Sequence, residues 1–304
     1  MILAVAAVVT LGGGALVAVG LTQGGGGAGG AGGGVPALSG VFGDASPKPS
    51  PTPTGPSPEE LAAIQRAKNV KALDAALKKY AATAPEFSVA VWDRKTGEVY
   101  SYRGTKAYET ASVVKVQVLA CLLLDAQADK RKLTRSEKER AGRMIRASDN
   151  AATTSLFTQL GGAKAVTRSN KKLGLKQTKV VTAWGLTKTT VKDQVQLLSQ
   201  LVNPKGPLTE ESREYADELM SSVNEDQDWG VPAAAKADEK FTVKNGWLAR
   251  STENNRYIIN SVGRVTGDET DVSIAVLSHG NATMPKGIVV VEKVVKMTRQ
   301  HLKY

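Results

Sequence analysis

A serine one helical turn ahead of a lysine, at the mouth of an apolar run, is a pairing that can carry out acyl transfer. The run here is Ser112-Val113-Val114-Lys115-Val116-Gln117-Val118-Leu119-Ala120-Cys121-Leu122-Leu123-Leu124. A helix apolar on every side is a buried central helix, so Lys115 is out of place unless something compensates its charge. Ser112 sits three residues earlier and faces Lys115 across one turn. An apolar setting favours the neutral amine, which can take the serine proton. The helix start also offers a free backbone N–H to a developing oxyanion. The plainer account is a capping serine and a lysine that snorkels to water. A bare Ser-x-x-Lys is common, and Ser169 to Lys172 repeats it on a polar, lysine-rich segment. Alone, the pair would leave the plainer account ahead.

Two further elements change that balance. Ser148-Asp149-Asn150 closes one helical stretch and opens the next. There a hydroxyl and an amide can face the first serine and lysine, relay a proton and bond a substrate amide. Capping of the following helix by Ser148 or Asp149 is compatible with that role. Later, Val243-Lys244-Asn245-Gly246-Trp247 reads as a strand. A lysine on a strand beside the nucleophile supplies charge for a substrate carboxylate, and the adjoining glycine admits substrate backbone. The literal Lys95-Thr96-Gly97 is a decoy, because it precedes the serine and lies in a hairpin turn.

The elements that must position these groups are legible in the periodicity. Glu59 to Ala82 has helical spacing. Phe87 to Trp92 and Glu98 to Tyr102 read as strands joined by a turn at 93–97. Helix signals follow at 112–128, 135–147, 151–160, 163–173, 188–202 and 209–222. The chain then returns to strands at Phe241 to Leu248, Arg256 to Val265 and Val272 to Ser278, and ends in a helix from Lys286 to His301. This order predicts an α+β fold: one antiparallel sheet flanked by N- and C-terminal helices, with an all-helical insertion. The folded domain is placed at 59–304. Residues 1–22 read as an export signal or membrane anchor, since Met1 to Leu21 is uncharged and apolar. Basic residues do not precede that core, so the true start is expected upstream. Residues 23–58, rich in Gly, Pro and Ser, read as a disordered linker.

The 304 residues include a single cysteine, which excludes an intramolecular disulfide framework and fits a small buried hydrophobe. No cysteine follows the apolar N-terminus, so lipid attachment there is not supported. The net charge of +11 could indicate nucleic acid, but only 5% of residues are aromatic and no basic block is interleaved with them. No nucleic-acid partner is expected. Anionic cell-envelope polymers are the more natural electrostatic partner for an exported chain. His279 and His301 are the two histidines, and no Gly-x-Ser-x-Gly elbow occurs. A Ser-His-Asp triad and a zinc site are therefore disfavoured, and no cofactor is expected.

The ordered set Ser-x-x-Lys, Ser-Asp-Asn and Lys-x-Gly on a strand resembles the class A β-lactamase and penicillin-binding protein superfamily. The resemblance covers roughly residues 60–304. It implies acylation of Ser112, Lys115 as base and Ser148 as proton shuttle. It further implies Asn150, Lys244, Asn245, Gly246 and Trp247 as substrate-binding residues, with the N–H groups of Ser112 and Trp247 as oxyanion hole. Arg250, Arg256 and Arg264 are equal candidates for an assisting arginine. Three departures stand out. Asn245 replaces the usual Thr or Ser, and Trp247 replaces a small residue. The third is that the loop glutamate which frees the acyl-enzyme is missing: after Asp149 the next carboxylate is Asp193, read as an early residue of the helix that follows a shortened loop. The expectation is a secreted or membrane-anchored, monomeric serine hydrolase. Its substrates would be β-lactam amides or peptidoglycan peptides, with slow deacylation. The alternative is a penicillin-recognising or wall-sensing domain with reduced catalysis.

Overall fold

A computed structural model of the chain describes residues 55–304. The expected signal or anchor, and the linker apart from 55–58, lie outside those residues. Helix α1 (Pro58–Ala81) starts from a capping box, in which the Ser57 and Glu60 side chains bond each other's backbone N–H. Strands β1 (Glu86–Asp93) and β2 (Val99–Tyr102) follow. The turn between them is fixed by Asp93 Oδ1, which accepts from the Lys95 and Thr96 amides, and by Gly97 at a φ of 76°. Thus the decoy Lys95-Thr96-Gly97 has a complete turn explanation.

Strands β5 (Lys240–Arg250), β6 (Arg256–Thr266) and β7 (Asp271–Asn281) come from the end of the chain. All pairings are antiparallel, and the sheet order is β2-β1-β7-β6-β5, so β5 is an edge strand. Along β1 the pleat sends Phe87, Val89 and Val91 to one face and Ala90 to the other. The first face packs against α1 and the terminal helix α8 (Met284–Leu302) through Leu73, Leu77, Val291 and Val294. The second face meets a helical layer. That layer comprises α2 (Val114–Ala128), α3 (Arg135–Arg146), α4 (Asn150–Gln159), α5 (Gly162–Leu173), α6 (Val191–Gln200) and α7 (Glu210–Ser221). Helix α2 is buried on all sides, as its all-round apolar sequence requires. The expected α+β class and helical insertion are both present.

One expected element divides differently. Instead of a helix from 188, a short 3-10 turn at Trp184–Leu186 leads into strand β4 (Lys188–Thr189), which pairs with β3 (Tyr108–Glu109). Helix α6 starts only at Val191. The reason is local: Thr187, Thr189 and Thr190 are buried, and their hydroxyls bond the 177–181 segment, so the chain stays extended until Thr190 caps α6.

Candidate active site

The foot of α2 brings the candidate residues together. Ser112 lies in a 3-10 turn, Ala111–Val113, two residues ahead of the start of the helix proper. Ala111 is held at a φ of 45°, in the left-handed region that a side chain disfavours. The turn is pinned from two directions. Asn260 on β6, fully buried, donates from Nδ2 to the Glu109 and Thr110 carbonyls at 2.9 and 3.0 Å. The Thr110 amide donates to Thr187 O at 2.8 Å. Strand β5 closes in from the third side. A Cβ on Gly246 would stand 2.7 Å from Ser112 N, 2.8 Å from Val113 N and 2.9 Å from Thr110 O, so only glycine permits this approach.

Lys115 is 0% exposed and Lys244 1% exposed, and the two amines converge on one hydroxyl. Lys115 Nζ donates to Ser148 Oγ at 3.0 Å, Ser148 O at 2.6 Å and Asn150 Oδ1 at 2.9 Å. Lys244 Nζ donates to Ser148 Oγ at 3.1 Å and to Asn245 O at 3.0 Å. Burial pulls the Lys115 ammonium down to about 8, with the Asp149 carboxylate acting weakly in the other direction. Burial, together with the like charge of Lys115, pulls Lys244 down to about 7 against the opposing charge of Asp226. Near neutral pH, therefore, a proton can be shared among the two amines and Ser148. The three acceptors of Lys115 do not include Ser112, although sequence spacing put the two side chains face to face. The serine instead opens into the cleft. Ser148 itself has a φ of 54°, and Asp149 caps α4 by accepting from Ala152 N. The tripeptide thus both starts a helix and aims a hydroxyl.

The cleft has a volume of about 1090 Å³ and is walled by Ser112, Asn150, Trp184, Trp247, Arg250 and the α4–α5 turn. Trp184 covers Lys115, with the amine 5.1 Å from the ring centroid, and its Nε1 donates to Thr154. Of the three candidate arginines only Arg250 reaches the cleft, where its Nε is 2.9 Å from Glu109 Oε2. Arg256 bonds Gly280 O, and Arg264 pairs with Asp271. No Asp or Glu is among the described residues lining the cleft. Asp193 is a first-turn residue of α6, as expected, but it is buried and accepts from Lys176 N, Gln177 N and Thr178 Oγ1. Its carboxylate is fully occupied in holding the 176–178 segment.

Asn245 is not brought to the cleft. Successive strand residues point to opposite faces, so with Lys244 turned toward α2, Asn245 turns away. Its Nδ2 donates to the Gln227 and Trp229 carbonyls at 2.7 and 3.0 Å, fully buried. Trp247 shares that parity and packs its ring on Trp229 at 6.2 Å, while still bordering the cleft. Gly246 shares the parity of Lys244 and meets the turn that carries Ser112. Counting by motif ignored the pleat. Sequence reasoning also missed Asn260 and Trp184. Asn260 carried a signal, being an amide within the apolar strand Ile258-Ile259-Asn260-Ser261-Val262.

A hydroxyl opening into a cleft, two buried amines behind it and a sheet edge beside it, on this three-layer frame, define the class A β-lactamase fold. The sequence profile of the β-lactamase enzyme family matches residues 67–140 and 136–302, and the chain belongs to that family. Among solved structures, the chromosome-encoded β-lactamase of Vibrio parahaemolyticus shares the fold with a TM-score of 0.66 at 18% identity, covering 76% of this chain and 99% of the other. A variant of PBP-A, solved as an acyl-enzyme complex with penicillin G, does so with a TM-score of 0.67 at 16% identity, covering 78% and 97%. Among curated relatives, LppW of Mycobacterium tuberculosis, a protein named as a lipoprotein, is 30% identical over 176 residues, 55% of this chain and 56% of its own length. The LppW of Mycobacterium bovis matches equally. The chain spans little more than half the length of these relatives.

Proposed function

We propose that this protein is an exported serine hydrolase that is acylated at Ser112 by β-lactam amides or by peptidoglycan peptides ending in a carboxylate. The observation that carries this reading is the convergence of the buried Lys115 and Lys244 on Ser148 Oγ, with Ser112 opening into the adjoining cleft. In the proposed step, Ser112 Oγ bonds to the substrate carbonyl carbon as its proton passes to Lys115. The C–N bond then breaks, and the leaving nitrogen takes a proton through Ser148. Asn150 bonds the substrate amide, Lys244 faces the carboxylate, and the N–H groups of Ser112 and Trp247 receive the oxyanion. The domain acts as a monomer and meets a membrane only through its N-terminal segment. The lipoprotein name of LppW supports an envelope location. Cys121 is buried in α2, and residues 1–22, as signal or anchor, are the proposed route.

Labelling with a fluorescent penicillin tests this assignment. The parent is expected to label covalently, and Ser112→Ala to lose at least about 10³-fold in rate. Equal labelling of both would place the chemistry elsewhere.

No Asp or Glu among the described residues lines the cleft, so an entering water meets no carboxylate to activate it. The acyl-enzyme is therefore expected to persist, with intact mass showing a stable penicillin adduct long after excess drug is removed. Rapid turnover of a chromogenic cephalosporin would contradict this. The same absence favours the second reading, a penicillin-recognising or wall-sensing domain with reduced catalysis, in which occupancy of the cleft is the signal. That reading alone survives if a penicillin binds without forming a covalent bond.

A further inference from the structure

The positive charge of this protein is concentrated in one stretch of the chain. Between Asn150 and Lys192 the sequence holds eight basic residues and no carboxylate, while the other 32 basic residues face 29 acidic ones. All eight are exposed: Lys164, Arg168, Lys171, Lys172, Lys176, Lys179, Lys188 and Lys192. Among the described residues none of them forms an ion pair within 4.0 Å. The first four fall at i, i+4, i+7 and i+8 of α5, one stripe opposite the buried Val166, Ser169 and Leu173. Lys179 and Lys188 are directly bridged partners, and Lys192 is in the first turn of α6.

Stability explains only part of this arrangement: Lys171 and Lys172 lie in the last turn of α5, where the helix dipole favours a cation. Like charges at i,i+4 destabilise a helix by about 0.2–0.5 kcal/mol per pair, and like charges opposite one another on strands also repel. A cation in a first turn opposes the helix dipole. The nearby carboxylates give no relief, since Asp193 is turned inward and Glu109, opposite Lys188, is held by Arg250.

We propose that this basic stretch binds the carboxylate-bearing peptide–glycan polymer whose stem peptides are the proposed substrate, and feeds those peptides to Ser112. The inference rests on the function proposed above. Lys164 belongs both to the stripe and to the cleft wall, so a polymer lying on the stripe has its branches at the cleft mouth. The chemistry separates this ligand from other polyanions. Seven of the eight cations are lysines, and Trp184, the segment's tryptophan, is turned onto Lys115 and Thr154, whereas nucleic-acid surfaces interleave aromatics with their cations. Val181 is the one large apolar side chain exposed there, too little to seat the stretch in lipid.

The test pellets the full chain with insoluble peptide–glycan sacculi stripped of phosphate polymers. Parallel arms use phosphatidylglycerol vesicles and an oligo-dT strand. The parent is expected to pellet with sacculi at low salt and to be released as salt approaches about 0.3 M. The variant Lys171→Gln/Lys172→Gln/Lys176→Gln/Lys179→Gln, whose sites lie outside the cleft, should pellet at least about 10-fold more weakly. Its fluorescent-penicillin labelling rate should equal that of the parent, which shows that it is folded. Undiminished pelleting of the variant would overturn the proposal, as would a parent that fails to pellet or that binds vesicles or oligo-dT as tightly as sacculi. Ser112→Ala should pellet like the parent. A loss of penicillin chemistry therefore counts against the function proposed above and leaves the pelleting result to stand or fall separately.

Discussion

Lys115→Met is expected to slow acylation of Ser112 by about 10²–10⁴-fold, the usual contribution of a positioned base, while leaving a folded protein. The methionine fills the same slot beneath Trp184 but can neither take a proton nor donate to Ser148 and Asn150. Two opposing effects of similar size act on stability. Removing a buried amine relieves a desolvation penalty on the order of 3 kcal/mol, whereas orphaning the Ser148 carbonyl costs about 1–3 kcal/mol. Asn150 is exposed and turns to water. The midpoint of unfolding at neutral pH should therefore move little, and the pH dependence becomes diagnostic. Both lysines have folded values, about 8 and about 7, below the ordinary 10.5. Between those values and 10.5 the unfolded chain holds more protons than the folded one, so parent stability must rise with pH across that window. Above about pH 10 the trend reverses, because burial holds Tyr100 and Tyr108 well above their ordinary value and unfolded tyrosines ionise first. Denaturant titrations between about pH 7 and pH 9.5 should show a clear upward slope in the parent and a shallower one in Lys115→Met. The labelling rate of the parent should climb through about pH 8 and then level. A rate independent of pH over that range would remove Lys115 from the role of base.

Gly246→Ala is expected to cost about 10²-fold in labelling rate, the effect of moving reacting groups by roughly an ångström, together with a lower melting temperature. The three atoms that the new methyl would meet are all backbone, belonging to Ser112, Val113 and Thr110, so no side chain can swing aside. Asn260 and Thr187 anchor the turn from other sides, which leaves β5 as the element that must shift. Lys244 and Trp247 shift with it. Stopped-flow labelling and thermal denaturation read the two effects separately. A parental rate in this variant would mean that β5 is not held against the nucleophile turn.

The fold was legible because its burial pattern is regular. The period-2 alternation of β1 and the unbroken apolar surface of α2 leave one arrangement in which both are satisfied, with helices on each face of an antiparallel sheet. The convergence of Lys115 and Lys244 was legible for a related reason: a lysine in a greasy run must find acceptors, and Ser148 and Asn150 are the polar groups that close the neighbouring helices. Placement within β5 was less legible. The order Lys-Asn-Gly-Trp names the residues without saying which of them share a face, and the pleat takes the Asn245 side chain out of the cleft. Trp184 gave no signal because its role depends on a 3-10 turn closed by the Thr187 amide on the Trp184 carbonyl, a local device that no hydrophobic periodicity marks. Asn260 could have been singled out as an amide with no solvent to satisfy it.

Strand β5 lies at the rim of the sheet, with β6 on one side and the turn that carries Ser112 over one face. A guest laid along such a rim is gripped by its own peptide units, which every amino acid possesses alike. Selection would then fall on handedness and chain direction, and sequence variation in the guest would matter little.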